Sequence, residues 1–188
     1  MEFILLIVAV AVVVFVFLGL RRALQTYMRF RGERIISCPE NHKPAAVRVA
    51  ARKAALEAAV GNEQLRLSAC SRWPEKKGCG QECLSQIEDS PKSCLVSTIV
   101  KSWYDGKSCA YCHKPFHEIH WHDHPPALVD KERKTVLWNE VPVDKLQEVL
   151  TDHWPVCWNC HIAESFRSEH PELVVDRPAT TSRLNILH

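Results

Sequence analysis

Two short stretches constrain this chain most: Cys109-Ala110-Tyr111-Cys112-His113 and Cys157-Trp158-Asn159-Cys160-His161. Each sets two thiols three residues apart with a histidine directly after them. A tight turn or the first turn of a helix brings the thiols of such a pair to one side. Two pairs then supply the four donors of a tetrahedral thiolate site. Cys109, Cys112, Cys157 and Cys160 are therefore the expected ligands of a zinc ion. A metal of this kind suits a small domain, whose apolar core alone yields little net stability.

A second constraint lies at the start of the sequence. From Phe3 to Leu20 no charged or strongly polar residue interrupts the chain. A helix rises about 1.5 Å per residue, so this run is about as long as a bilayer's hydrocarbon core is thick. A cleaved signal peptide would call for a positive leading region and a small-x-small cleavage site. Only Met1 and Glu2 precede the run, which therefore reads as a retained transmembrane anchor. Arg21, Arg22, Arg29, Arg31 and Arg34 follow it, against Glu33 alone. By the positive-inside rule this is a single-pass inner-membrane protein, N-terminus outside and C-terminal domain cytoplasmic.

Nine cysteines on the reducing side of a membrane point to metal binding rather than disulfides. The net charge of +2 is too mild to argue for nucleic acid, and no basic patch interleaved with aromatics appears beyond the juxtamembrane arginines. The expected partners are the lipid bilayer and a protein at the membrane.

The chain divides by composition into an anchor at 1–22, a basic juxtamembrane linker at 23–34, a cysteine-containing α+β region at 35–106, a finger at 107–176 and a tail at 177–188. In the α+β region a hairpin is expected around Cys38-Pro39, then a helix from Ala50 to Val60 closed by Gly61, and a short strand from Leu65 to Leu67. Cys79 and Cys83, four residues apart, would share one face of a helix. With Cys38 and Cys70 they form a possible second metal site; the alternative is that some are buried apolar cysteines. Ser90-Pro91 predicts the start of a helix reaching Tyr104, with Leu95, Ile99 and Trp103 on its inner stripe. Cys94, near its first turn, reads as a buried structural thiol. Beyond the first pair, a hairpin over 127–138, a helix through Leu150 and a helix over 162–169 are expected. His120, His122 and His124 would alternate on one face of a strand, or belong with His117 to a polar loop over the finger. The tryptophans are expected to cover the core.

The order of a cysteine turn CAYCHKPF, a hairpin, and a second pair at the mouth of a helix resembles a treble-clef zinc finger over residues 108–170. Such turns often carry glycine after the second cysteine, where the backbone is left-handed; His113 stands there. The segment is also weakly similar to zinc-bearing HNH endonucleases. That resemblance implies His124 as general base, with Asp123 and His161 as ligands of a divalent ion. The family's middle asparagine has no counterpart, because Thr151-Asp152-His153 occupies its place. A third resemblance rests on the motif itself: Cys-x-x-Cys-His is the attachment sequence of c-type haem. It implies thioether bonds at Cys109, Cys112, Cys157 and Cys160 and iron ligation by His113 and His161, in a di-haem electron-transfer protein.

The sequence thus supports an α+β protein: an N-terminal transmembrane helix, then a small cysteine-rich, metal-stabilised domain with a treble-clef-like C-terminal half. The expected function is a zinc-binding, cytoplasm-facing module for binding or assembly at the membrane, with no complete catalytic set. A c-type cytochrome and an HNH-like nuclease, or an inactive descendant of one, are the alternatives.

Overall fold

The computed structural model describes residues 1–62, 64–73, 75–76, 78–116 and 119–174; the expected tail and His117 lie outside them. The chain divides into two compact units, Met1–Thr98 and Ile99–His188.

The first unit begins with a single helix, α1 (Glu2–Phe30), that runs on past the apolar stretch through the basic segment that follows it. None of its apolar 18-residue window is buried within the protein. Its far end is different: Thr26 and Phe30 are buried, and Tyr27 packs against the core. Helix α2 (Ala51–Ala59) lies against α1 through Ala51, Ala54, Ala55 and Ala58, whose spacing puts four small side chains on one face. Gly19 allows this approach, since a Cβ there would stand 3.3 Å from the Ala59 carbonyl. A three-stranded antiparallel sheet, β1 (Glu33–Ser37), β2 (Pro44–Val49) and β3 (Leu67–Cys70), completes the layer. Ala45, Val47 and Val49 alternate inward from β2 to meet Phe30, Ile36, Leu67 and Ile87. Ile87 comes from a short helix, α3 (Leu84–Asp89).

Arg34 is the structural pivot of this unit. It is fully buried. Its guanidinium donates to the carbonyls of Phe30 (2.6 Å), Arg29 (2.7 Å), Gly32 (3.1 Å) and Arg31 (3.3 Å). The last carbonyls of a helix have no partner within it, and here one planar cation satisfies several of them. Burial lowers the Arg34 pKa, with the neighbouring Cys94 opposing that shift. Arg34 is thus a helix cap and not a surface topology charge; Arg21, Arg22, Arg29 and Arg31 are the exposed arginines of the group.

Helix α4 (Val96–Tyr104) begins six residues later than Ser90 suggests. The cause is β pairing: residues 91–94 form a turn, Ile35 N–H donates to the Cys94 carbonyl at 2.9 Å and Leu95 bridges Arg34, so the helix starts only after that bridge. Starting at Val96 turns the stripe as well. Val96, Val100 and Tyr104 form the buried face, with Leu95, Ile99 and Trp103 only half-buried.

In the second unit the sheet runs β5 (Thr135–Leu137), β4 (Ala127–Val129), β6 (Trp154–Val156), all antiparallel. The central strand β4 is buried at every position. Tyr104 crosses to it and donates its hydroxyl to the Ala127 carbonyl at 2.7 Å. Phe116 and Trp121 stand edge-on to the Tyr104 ring, and Trp138 edge-on to Trp121, which gives the aromatic cover expected of the tryptophans. Helix α5 (Leu146–Asp152) packs through Leu146 and Leu150, and Trp103 Nε1 donates to the Leu150 carbonyl at 2.8 Å. Helix α6 (Trp158–Glu169) follows β6 directly and has no buried residue.

Two outcomes follow from these buried polar contacts. Arg34→Met should lower the unfolding free energy by about 3 kcal/mol, because it strands buried carbonyls that charged donors now satisfy. Tyr104→Phe should cost about 1–2 kcal/mol by leaving the Ala127 carbonyl without its donor. Urea unfolding of the full chain in detergent, followed by tryptophan fluorescence, measures both.

Candidate metal centre

The first cysteine pair sits on a turn whose shape is set by two backbone bonds. Cys109 N–H donates to the Lys114 carbonyl and His113 N–H to the Cys109 carbonyl, both at 2.9 Å. To close this turn His113 adopts φ = 58°, the left-handed region expected for its position. A third bond, from Ala110 N–H to the Pro155 carbonyl at 2.8 Å, fastens the turn to β6. Strand β6 in turn leads straight into Cys157 at the N-cap of α6. Cys160, three residues on, lies on the same side of that helix as Cys157. The two pairs are brought together by the sheet, not by their distance in sequence.

The result is one cluster. The sulfurs of Cys109, Cys112, Cys157 and Cys160 all lie within 4.8 Å of one another, the sole group of three or more such donors this close among the described residues. Cys112 Sγ and Cys157 Sγ are 3.8 Å apart. Zinc–thiolate bonds of about 2.3 Å in a tetrahedron give an edge of about 3.8 Å, the separation that two ligands of a single zinc ion would have. It is far beyond the roughly 2.05 Å of a disulfide bond, and all four thiols are free.

The electrostatics of the bare cluster are unbalanced. Burial pushes the Cys109 thiol up, but backbone N–H groups of Cys112, Cys157 and Tyr111 outweigh it, and its pKa falls below the ordinary value. The Cys157 N–H reaches Cys109 Sγ at 3.3 Å. Cys157 is raised by burial, and Cys160 is pushed well up by burial, by its bond to Cys157 and by the charge of Cys109. One thiolate is thus accommodated and further ones repel it. A divalent cation reverses this balance, since a coordinated thiol is deprotonated outright.

The other expected residues fall elsewhere. His161 Nδ1 is 2.9 Å from Thr135 Oγ1, and burial lowers its pKa, with Glu140 opposing. His124 is packed edge-on against Trp158, whose ring also stands beside His161. His124, Asp123 and His161 belong to no close donor group among the described residues. Residues 121–124 form a turn closed by His124 N–H to the His120 carbonyl at 2.9 Å, so His120, His122 and His124 do not alternate on a strand. His120 and His124 instead line an open cavity of about 300 Å³ beside Trp158. Cys79 and Cys83 do not share a helix either, since Gln81 takes φ = 59° and α3 starts only at Leu84. Cys38, Cys70, Cys79 and Cys83 do converge on one cavity of about 270 Å³, but less closely than the first four. The Cys94 thiol is half-buried against the first unit's core and raised by burial, in keeping with a structural thiol.

Because α6 has no fully buried residue and is otherwise tied only by the His161–Thr135 and Ser165–Thr135 contacts and by Trp158 packed on His124, Cys157 and Cys160 are expected to carry much of its attachment. Cys160→Ser, or a strong chelator, should release the ion and unfold α6. The loss of far-UV helical signal should track metal release measured with a chromogenic chelator; helix loss without metal release, or release without helix loss, would contradict this dependence.

Comparison with family models, with curated proteins and with solved structures gives no match for this chain, so its functional reading rests on the geometry of the site itself.

Proposed function

We propose that this is a single-pass membrane protein whose cytoplasm-facing part is a zinc-stabilised module for binding or assembly at the membrane. One observation carries the metal: four free thiols gathered within 4.8 Å, with an edge of tetrahedral zinc–thiolate length. Four soft thiolates in a closed set favour zinc and leave no open position of the kind a catalytic zinc needs. The order of cysteine turn, β4–β5 hairpin, β6 and α6 supports the treble-clef reading. In such a centre Cys109, Cys112, Cys157 and Cys160 would hold the ion, which would supply a cross-link between the turn and α6.

The convergence of the pairs weighs against two attached haems. Each haem would occupy its own Cys-x-x-Cys-His, and two macrocycles cannot share the space in which four sulfurs lie this close. The HNH reading has less support. His161, its expected ligand, is turned to Thr135, and His124 is packed against Trp158.

The anchor reading is supported by the continuity of α1. A helix that carries the apolar run on exposed faces and then buries Thr26 and Phe30 in the following unit is one element, and cleavage after the run would cut into the fold. The exposed Arg21, Arg22, Arg29 and Arg31 favour a cytoplasmic body.

The test is expression of the full chain in a bacterium with active haem-attachment machinery. A colourless protein of intact mass is expected, resistant to alkaline extraction from membranes, its C-terminus protected from protease in sealed spheroplasts. A red, externally exposed product, or one shortened at the N-terminus and released in soluble form, would overturn the reading.

A further inference from the structure

The turn around Cys38 repeats the turn around Cys109. Cys38 N–H donates to the Lys43 carbonyl at 2.9 Å, His42 N–H donates to the Cys38 carbonyl at 2.8 Å, and His42 takes φ = 55°. In the first centre the corresponding atoms belong to Cys109, Lys114 and His113, with the same bonds and nearly the same φ. The difference is chemical: three residues after Cys38 stands Asn41, where Cys112 stands in the other turn. This turn presents one thiol, so a four-thiolate site built on it needs three more.

Three more are present. Cys70 ends β3 and pairs in register with Val47 of β2, the strand that leaves the Cys38 turn. Cys79 lies in a second turn of metal-binding type. Its sulfur accepts the Gln81 N–H at 3.3 Å, with Gln81 at φ = 59°. Gln81 is itself held, because its side-chain carbonyl accepts the Leu67 N–H at 2.9 Å, which ties the turn to the strand that carries Cys70. Cys83 is buried just before α3. All four cysteines line the same cavity of about 270 Å³. Arg72, on its wall, brings Nη1 to 2.9 Å from Cys38 Sγ. A cation and a backbone N–H aimed at sulfur are the outer contacts that steady thiolate ligands and offset the surplus negative charge of a zinc bound by four of them.

From this geometry we infer that the first unit holds a second zinc ion, bound by Cys38, Cys70, Cys79 and Cys83. The four cysteines line a space larger than one ion, so binding draws their sulfurs inward, and Cys79 is the exposed member of the set. The two centres share no residue, and each can fail without the other.

The experiment is zinc per chain by mass spectrometry on the full-length protein purified in detergent under reducing conditions. Two equivalents are expected. Cys79→Ser, at an exposed position that leaves the core intact, should reduce this to one or weaken retention of one equivalent at least tenfold in chelator competition. Cys157→Ser should remove the other equivalent, and the double variant both. Cobalt(II) loading adds a readout independent of folding. Cys79→Ser should shift only half of the thiolate-to-cobalt absorption, as one set of four sulfurs becomes three and an oxygen. A single equivalent, lost with Cys157→Ser and unmoved by Cys79→Ser, would overturn the second site and leave the first standing. A single equivalent lost only with Cys79→Ser would do the reverse. Iron in place of zinc, or a Cys79–Cys83 disulfide in the reduced protein, would also overturn the inference.

Discussion

The approach of four sulfurs to within a single ion's reach is the constraint on which the second unit depends. Other ties to α6 are few: the helix buries no side chain completely, His161 Nδ1 meets Thr135 Oγ1 at 2.9 Å, Trp158 packs on His124, and Ile162 and Phe166 stay exposed along it. Its neighbours β4, β5 and β6 have three residues each, too few for an extended apolar seam. A metal bound by the four thiolates would replace that seam with four short bonds. Metal binding by four such thiolates would be coupled to closure of the fold, because the sheet that gathers the two pairs exists only in the folded chain.

The first unit solves a different problem. A long helix must end somewhere, and its last carbonyls must be satisfied before the chain turns. Arg34 does this from inside the protein, and one residue later the backbone of β1 pairs with the Cys94–Leu95 segment. Gly19 and the alanine face of α2 brace the same helix from the side, with Phe30 anchored in the core. The apolar N-terminal helix and the folded part of the first unit are therefore one continuous element.

Much of this was legible in the sequence. The grouping of Cys109 with Cys112 and of Cys157 with Cys160 follows from spacing, since each pair depends on local geometry alone, and the left-handed His113 follows from the turn such a pair requires. The apolar run, the β1–β2 and β4–β5 hairpins and α2 carry periodic or turn signals strong enough to read locally. What was not legible depends on distant partners. The late start of α4 is imposed by β1, more than fifty residues earlier in the chain. The charge of Arg34 looks like a topology signal until its burial is seen. The His120–His124 stretch has the alternation of a strand but no neighbour to pair with, and it closes on itself. Cys79 and Cys83 have helical spacing, yet Gln81 breaks the helix between them, and their convergence with Cys38 and Cys70 is a product of sheet register.

A closed set of four sulfurs offers a structural cross-link and no open position of the kind a catalytic zinc needs. The central claim is most directly tested by X-ray absorption at the zinc edge of the full-length protein. The account predicts a first shell of sulfur alone, with bonds of about 2.3 Å. A shell containing nitrogen or oxygen, or a protein whose metal is haem iron, would contradict it.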